Sequence, residues 1–158
     1  YREQFAFLRD NGITTRTDMA AFTARTEETL ANLMKKRAVL NVRRKRRRAL
    51  YTALADAEAL APVKELYEAG LSGMETEFAQ YMDAVAALEQ CGVPREGLIQ
   101  EKAELYDRLA ELNRQIRAER RKLALCRKTQ NSLPRMEQEI DKAEARESEV
   151  RTNEHRRR

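Results

Sequence analysis

Between Gly12 and Pro62 the chain carries neither glycine nor proline, and this uninterrupted run limits what the chain can fold into more than any other feature. The two residue types that end helices are missing, so nothing local stops a helix from propagating. Thr15-Arg16-Thr17-Asp18 supplies the start signal. A threonine hydroxyl and the Asp18 carboxylate at that spacing satisfy reciprocal free amides of a first helical turn. The reading is one helix over residues 16–60, about 45 residues and roughly 65 Å long at 1.5 Å per residue. That is too long for a compact domain, so an elongated all-α fold is expected.

The other punctuation marks divide the rest. Tyr1 to Asn11 places Phe5 and Leu8 at helical spacing before Gly12, which suits a left-handed C-terminal stop. Pro62 fits the first turn of a following helix, so the chain is expected to turn back at Leu60 to Pro62. That helix runs to Gln90, with a kink or break where Gly70 and Gly73 bracket a second capping signal, Ser72 to Glu75. Cys91-Gly92-Val93-Pro94 forms a turn. From Arg95 to Ser132 the chain shows its cleanest heptads, with Leu98, Leu105 and Leu112 in one row and Leu109, Ile116 and Leu123 in the other. Leu133-Pro134 stops or kinks this helix, and 134–158 reads as a charged helical or disordered tail. The expectation is therefore coiled-coil-like helical hairpins in a module over 1–133: three long helices, about 16–60, 62–90 and 95–132, plus a short helix at 1–11.

Composition agrees. With 36% charged and 6% aromatic residues, and no tryptophan, the chain has material for a narrow core only. No run of 18 apolar residues exists, and the N-terminus lacks the charged and apolar regions of a signal peptide, so a cytoplasmic protein is expected. The chain begins with Tyr1 rather than Met, as a piece of a longer chain would. Cys91 and Cys126 lie far apart, and the only histidine is His155 in a charged stretch. No zinc site, other metal site or cofactor is implied, and the thiols read as small hydrophobes.

Charge is unevenly placed. Residues 29–60 carry nine basic and two acidic side chains, whereas residues 61–100 carry two basic and seven acidic. One explanation is intramolecular, an acidic second arm lying against a basic first arm. It leaves Arg43, Arg44, Lys45, Arg46, Arg47 and Arg48 partly unexplained, because six consecutive residues encircle a helix and no single partner covers them. Arg44 and Arg47 fall in register with Leu30, Leu33, Leu40, Tyr51 and Leu54, so they either snorkel to water or interrupt the core. A cationic ring of this kind binds phosphates in a salt-dependent way without reading sequence. A second basic stripe, Arg114, Arg117, Arg121 and Lys128, recurs at three, four and seven residues on one helix face. Taken alone it reads first as a solvated coiled-coil face, and beside the first basic run as a second DNA contact.

Catalytic constellations are missing. His155 stands in Asn153-Glu154-His155-Arg156, where it cannot serve a buried nucleophile. The acidic pairs lie on exposed helix faces, and Gly70 to Gly73 lacks the spacing and the lysine of a P-loop. No catalytic residue is assigned and the chain is not expected to be an enzyme.

The opening "FLRDNGITTRTDM", the long helix, the acidic arm and "GVPREGLIQEKAELYDRLAELNRQIRAERRKL" together resemble the C-terminal region of relaxases, the mobilization nucleases of conjugative elements in Gram-positive bacteria. The best-marked points are Leu8, Asn11, Gly12 and Ile13, then Leu98, Lys102, Leu105 and Tyr106. The resemblance implies a parent protein that nicks one DNA strand with a tyrosine nucleophile and a histidine-bound metal. One histidine cannot supply that metal site, so no catalytic role is carried over to any tyrosine here. What it implies for this chain is a bacterial accessory module that binds DNA non-specifically or docks other mobilization and conjugation proteins, and the residues themselves point to backbone contacts through the two basic surfaces. The alternative is a coiled-coil structural or oligomerisation module without DNA binding. Heptads do not say whose helix is the partner, so a homodimer through the Leu98–Leu123 seam stays open beside an intramolecular seam.

Overall fold

The computed structural model describes residues 1–157. It is all-α: helices α1 (Arg2–Asp10), α2 (Arg16–Ala59), α3 (Ala61–Glu68), α4 (Glu75–Gln90) and α5 (Arg95–Arg156), with no strand among the described residues. The chain divides into two compact units. Unit 1 combines Tyr1–Asn32 with the part of α5 from Ile116 on, and unit 2 is Leu33–Gln115.

Local chemistry accounts for the helix ends. At the start of α2 the Asp18 N–H donates to Thr15 Oγ1 (3.0 Å) while Asp18 Oδ2 accepts from the Thr15 N–H (3.0 Å), the reciprocal box read from the sequence. The same oxygen also accepts from the N–H and hydroxyl of Thr14. Hydrogen bonds from Thr14 and Thr15 to this carboxylate hold the Asp18 carboxyl below the usual carboxylate range, the Thr14 backbone bond contributing most. At the end of α1, Gly12 takes φ 62° and its N–H donates to the Arg9 carbonyl, while the Ile13 N–H reaches back to Leu8 (2.9 Å). Only a residue without Cβ enters that left-handed turn cheaply, and Ile13 is thereby folded back beside Leu8 in one apolar cluster.

Unit 1 packs Phe7, Ile13, Met19 and Cys126, flanked by Leu8, Phe22 and Leu125. The Phe7 and Phe22 rings meet edge to face at 5.5 Å. Gln130 Nε2 donates to Thr23 Oγ1 (3.3 Å) and Arg16 grips Glu137 through both Nε and Nη2. The falling number on one helix against the rising number on the other makes these segments of α2 and α5 antiparallel.

Unit 2 has two apolar clusters. Ala53, Leu54 and Ala57 of α2 meet Ala84 and Leu88 of α4 and Leu98 of α5. Tyr51 meets Leu105 and Leu109, with Leu40 beside them. The leucines Leu98, Leu105, Leu109 and Leu112 of the heptad rows are all buried within this one chain.

The break expected between Gly70 and Gly73 is present and divides 62–90 into two helices, because Gly70 (φ 89°) and Gly73 (φ 87°) both take left-handed angles that end α3 and delay α4. Two other sequence expectations change. Ser72 does not cap α4, which begins after Met74 with Glu75 Oε1 accepting from the Gly73 N–H. Joined by the stacked rings of Tyr67 and Phe78 (4.1 Å), α3 and α4 divide the labour: α4 supplies the buried return face and α3 buries none of its residues. Of the stop or kink expected at Leu133-Pro134, the stop does not occur, since α5 continues through Pro134. Proline removes one helical bond and crowds the preceding turn. Here Thr129 is buried before the proline, and after it Met136 is buried and Glu137 is held by Arg16, so both sides of the proline stay docked. Beyond it, residues 137–157 are exposed.

Candidate functional site

The six consecutive cations of α2 fan around the helix at 100° per residue, and the structure sorts them into three groups. Arg43 and Arg47 share one face and both reach Glu101 Oε1 of α5, at 3.4 and 3.2 Å. Arg44, Lys45 and Arg48 share the next face and line a groove of about 780 Å³. Arg46 points away from both and is exposed.

Arg47 therefore stands where the α2 seam would place a leucine, with its side chain 36% exposed, opposite a carboxylate only 17% exposed. The core is interrupted there by an ion pair, one of the two outcomes the register of Arg47 allowed. Arg44 takes the other, lying exposed at the edge of the seam. The acidic arm does not neutralise the run as the charge counts suggested: its ion-pair partner is Glu101, while the contacts of α4 with α2 are apolar, apart from Gln80 and Asp56 at 3.4 Å.

The groove's opposite wall comes from α5. Lys102 and Tyr106, one turn apart, face Arg44, Arg48 and Tyr51 across it, with Asn41 and Thr52 supplying uncharged polar groups. Four cations line the groove and no carboxylate does. The Lys102 ammonium lies 5.9 Å from the Tyr51 ring centroid and 6.0 Å from that of Tyr106, close enough to be held by the ring faces. Tyr106 is 45% exposed. Tyr51 is buried, and its hydroxyl and Glu101 Oε2 have no hydrogen-bond partner of good geometry among the described residues. Burial raises the Tyr51 hydroxyl above its ordinary pKa and the Glu101 carboxylate adds to the rise, while Arg47 and Arg43 oppose it.

The second predicted stripe does not form a comparable site. Arg114, in unit 2, pairs with Glu111 on its own helix. Lys128, in unit 1, pairs with Glu3 at 2.8 Å and thereby holds the Glu3 carboxyl below its usual range. Arg117 and Arg121 are exposed and carry no ion pair among the described residues. Sequence reasoning assigned no site role to Lys102, Tyr106 or Glu101. The available signal was the pair Lys102 and Tyr106 at helical spacing on a seam helix, but which α2 residues they face depends on the register of packing. No helix is long and apolar enough to cross a membrane among the described residues. No protein-family profile, curated protein or solved structure matches the chain.

Proposed function

We propose that this chain is a non-catalytic accessory module of a bacterial, cytoplasmic DNA-mobilization protein of the relaxase type, and that it binds the phosphate backbone of DNA without reading sequence. The single observation that carries the binding reading is the groove of unit 2, where Arg44, Lys45, Arg48 and Lys102 converge with no carboxylate in the lining. Each phosphate neutralised there releases counterions, which gives affinity steeply dependent on salt. Arg43 and Arg47 contribute less, since Glu101 already occupies them. Arg117 and Arg121 add a separate exposed basic surface on unit 1. The connection with mobilization rests on the sequence resemblance alone.

The test is fluorescence anisotropy of labelled duplex DNA against the full chain at several salt concentrations. Affinity should fall as salt rises and should not depend on base sequence. Replacing Arg44, Lys45 and Arg48 together by Gln should weaken binding to every sequence alike, more than replacing Arg43 and Arg47 does. A binding constant that stays flat with salt would overturn the proposal.

A second reading, a protein-docking module without DNA binding, is favoured by a different observation. Leu66 and Tyr67 of α3, Leu71 after it and Met82 of α4 are large apolar residues left exposed. A homodimer through the Leu98–Leu123 seam has less support, because those leucines are already buried by the chain's own residues. Sedimentation of wild type and a Leu66→Ser, Met82→Ser variant separates the docking reading from the first.

A further inference from the structure

We infer that the unit 2 groove is a site for a nucleotide, with its phosphate groups on Arg44, Lys45 and Arg48 and the aromatic base against the Tyr106 ring. The inference rests on the phosphate-binding reading above and adds to it a discrete pocket and a recognised base. The shared chemistry is anionic phosphate joined through a sugar to a nucleobase, and its source is either a free nucleotide or one nucleotide of a nucleic-acid strand.

Three features set the groove apart from a merely basic helix face. Its volume of about 780 Å³ lies within the range of small-molecule sites, roughly 300–1,000 Å³. Its cations come from two helices rather than one, so that a phosphate chain between α2 and α5 meets Arg44 and Arg48 on one wall and Lys102 on the other. And the wall that carries Lys102 also carries Tyr106, a half-exposed ring one turn away. A phosphate needs no aromatic neighbour, whereas a base gains from stacking on one. Lys102, now held between two ring faces, is long enough to swing toward a phosphate as the base takes its place over Tyr106. Asn41 and Thr52, the uncharged polar groups of the lining, can bond sugar hydroxyls or a base edge.

The experiment is isothermal titration of the full chain with ATP and, separately, with inorganic tripolyphosphate, alongside anisotropy titrations with duplex DNA and with a single-stranded oligonucleotide. ATP should bind at least about fivefold more tightly than tripolyphosphate, the lower end of the gain from stacking a base on an aromatic side chain. Tyr106→Ala should remove that preference and leave tripolyphosphate binding unchanged, while Arg48→Gln should weaken both ligands. Because Tyr106 is half-exposed, its replacement leaves the core intact, and circular dichroism checks this. Competition between ATP and the single-stranded oligonucleotide would support the site with a strand as its source, and ATP binding without competition would support it with a free nucleotide as its source. Equal affinity for ATP and tripolyphosphate, or an ATP affinity that survives Tyr106→Ala, would overturn the inference. Duplex binding that persists without ATP binding overturns this inference alone, whereas loss of both overturns the phosphate-binding reading as well.

Discussion

Arg47 lies 3.2 Å from Glu101, a guanidinium at a seam position of α2 facing a carboxylate that is itself mostly shielded from water. An ion pair half withdrawn from solvent costs desolvation that its Coulomb attraction only partly offsets, yet removing one partner strands the other. Glu101→Leu should therefore destabilise unit 2 by about 2 kcal/mol, and the double variant Arg47→Leu, Glu101→Leu should recover most or all of that loss. Urea denaturation of the three proteins measures it. Recovery absent from the double variant would mean that the pair is a net source of stability rather than a device of register.

The same carboxylate shapes an alkaline limb. Burial, followed by the Glu101 charge, raises the Tyr51 hydroxyl above its ordinary value of 10.0. The neutral form is favoured in the folded state, so the unfolded chain ionises first as pH rises. The stability that Tyr51 contributes is complete below the unfolded pKa and is lost as pH climbs from about 10 through the raised folded value. Tyrosinate absorbance should show one late-titrating tyrosine, absent in Tyr51→Phe, and the phenylalanine variant should lose less stability above pH about 10.

The all-α fold was readable because its signals are local. Gly12, the Thr15 to Asp18 box, Pro62 and Pro94 act on neighbouring backbone groups, and the observed helices begin and end where that chemistry says. What depends on packing was not readable. The helix passes Pro134 because Met136 and the Arg16–Glu137 pair hold the chain on its far side. The heptad rows appeared to end at Leu123, but Cys126, in the same row as Leu98, Leu105 and Leu112, continues the buried face together with Thr129 and Met136, because α1 and the start of α2 pack against this part of α5. For the groove, the six cations were evident, but which of them stay free was decided by one glutamate on a helix more than fifty residues away.

Thr129 offers a substitution that should stabilise. It is 0% exposed and its Oγ1 has no hydrogen-bond partner among the described residues. A buried hydroxyl left unpaired costs about 1 kcal/mol or more, and valine keeps the shape while replacing that group by a methyl. Thr129→Val should raise the stability of unit 1 by about 1 kcal/mol in denaturant titration. Thr26→Val is the control expected to go the other way, because its hydroxyl is satisfied by the Phe22 carbonyl at 2.9 Å.

Leu98 joins three helices in unit 2 and is 0% exposed among Ala53, Leu54, Ala57, Ala84 and Leu88. Those neighbours include three alanines, which cannot extend to fill a void. Leu98→Ala should therefore cost roughly 2–5 kcal/mol. Ile99→Ala, one residue on and exposed, should stay within about 0.5 kcal/mol. Equal effects in thermal melts would mean that the helices do not close over Leu98.

The two thiols should differ in reactivity for reasons of packing alone. Cys126 is 0% exposed in the core of unit 1, and burial raises its pKa, against a smaller opposing effect of the Thr23 hydroxyl. Burial and the raised pKa both suppress attack, since the thiolate is the nucleophile and the reagent must reach it. Cys91 sits half-buried at the end of α4 with its Sγ donating to the Leu88 carbonyl at 3.0 Å, and its solvent contact gives a disulfide reagent access. Reaction of the folded protein with an aromatic disulfide should release one equivalent of chromophore in a fast phase that Cys91→Ser abolishes. The second equivalent should appear only at the rate at which unit 1 opens, and denaturant should merge the phases. A Cys126 that reacts in the fast phase would show that α1 does not stay docked over it.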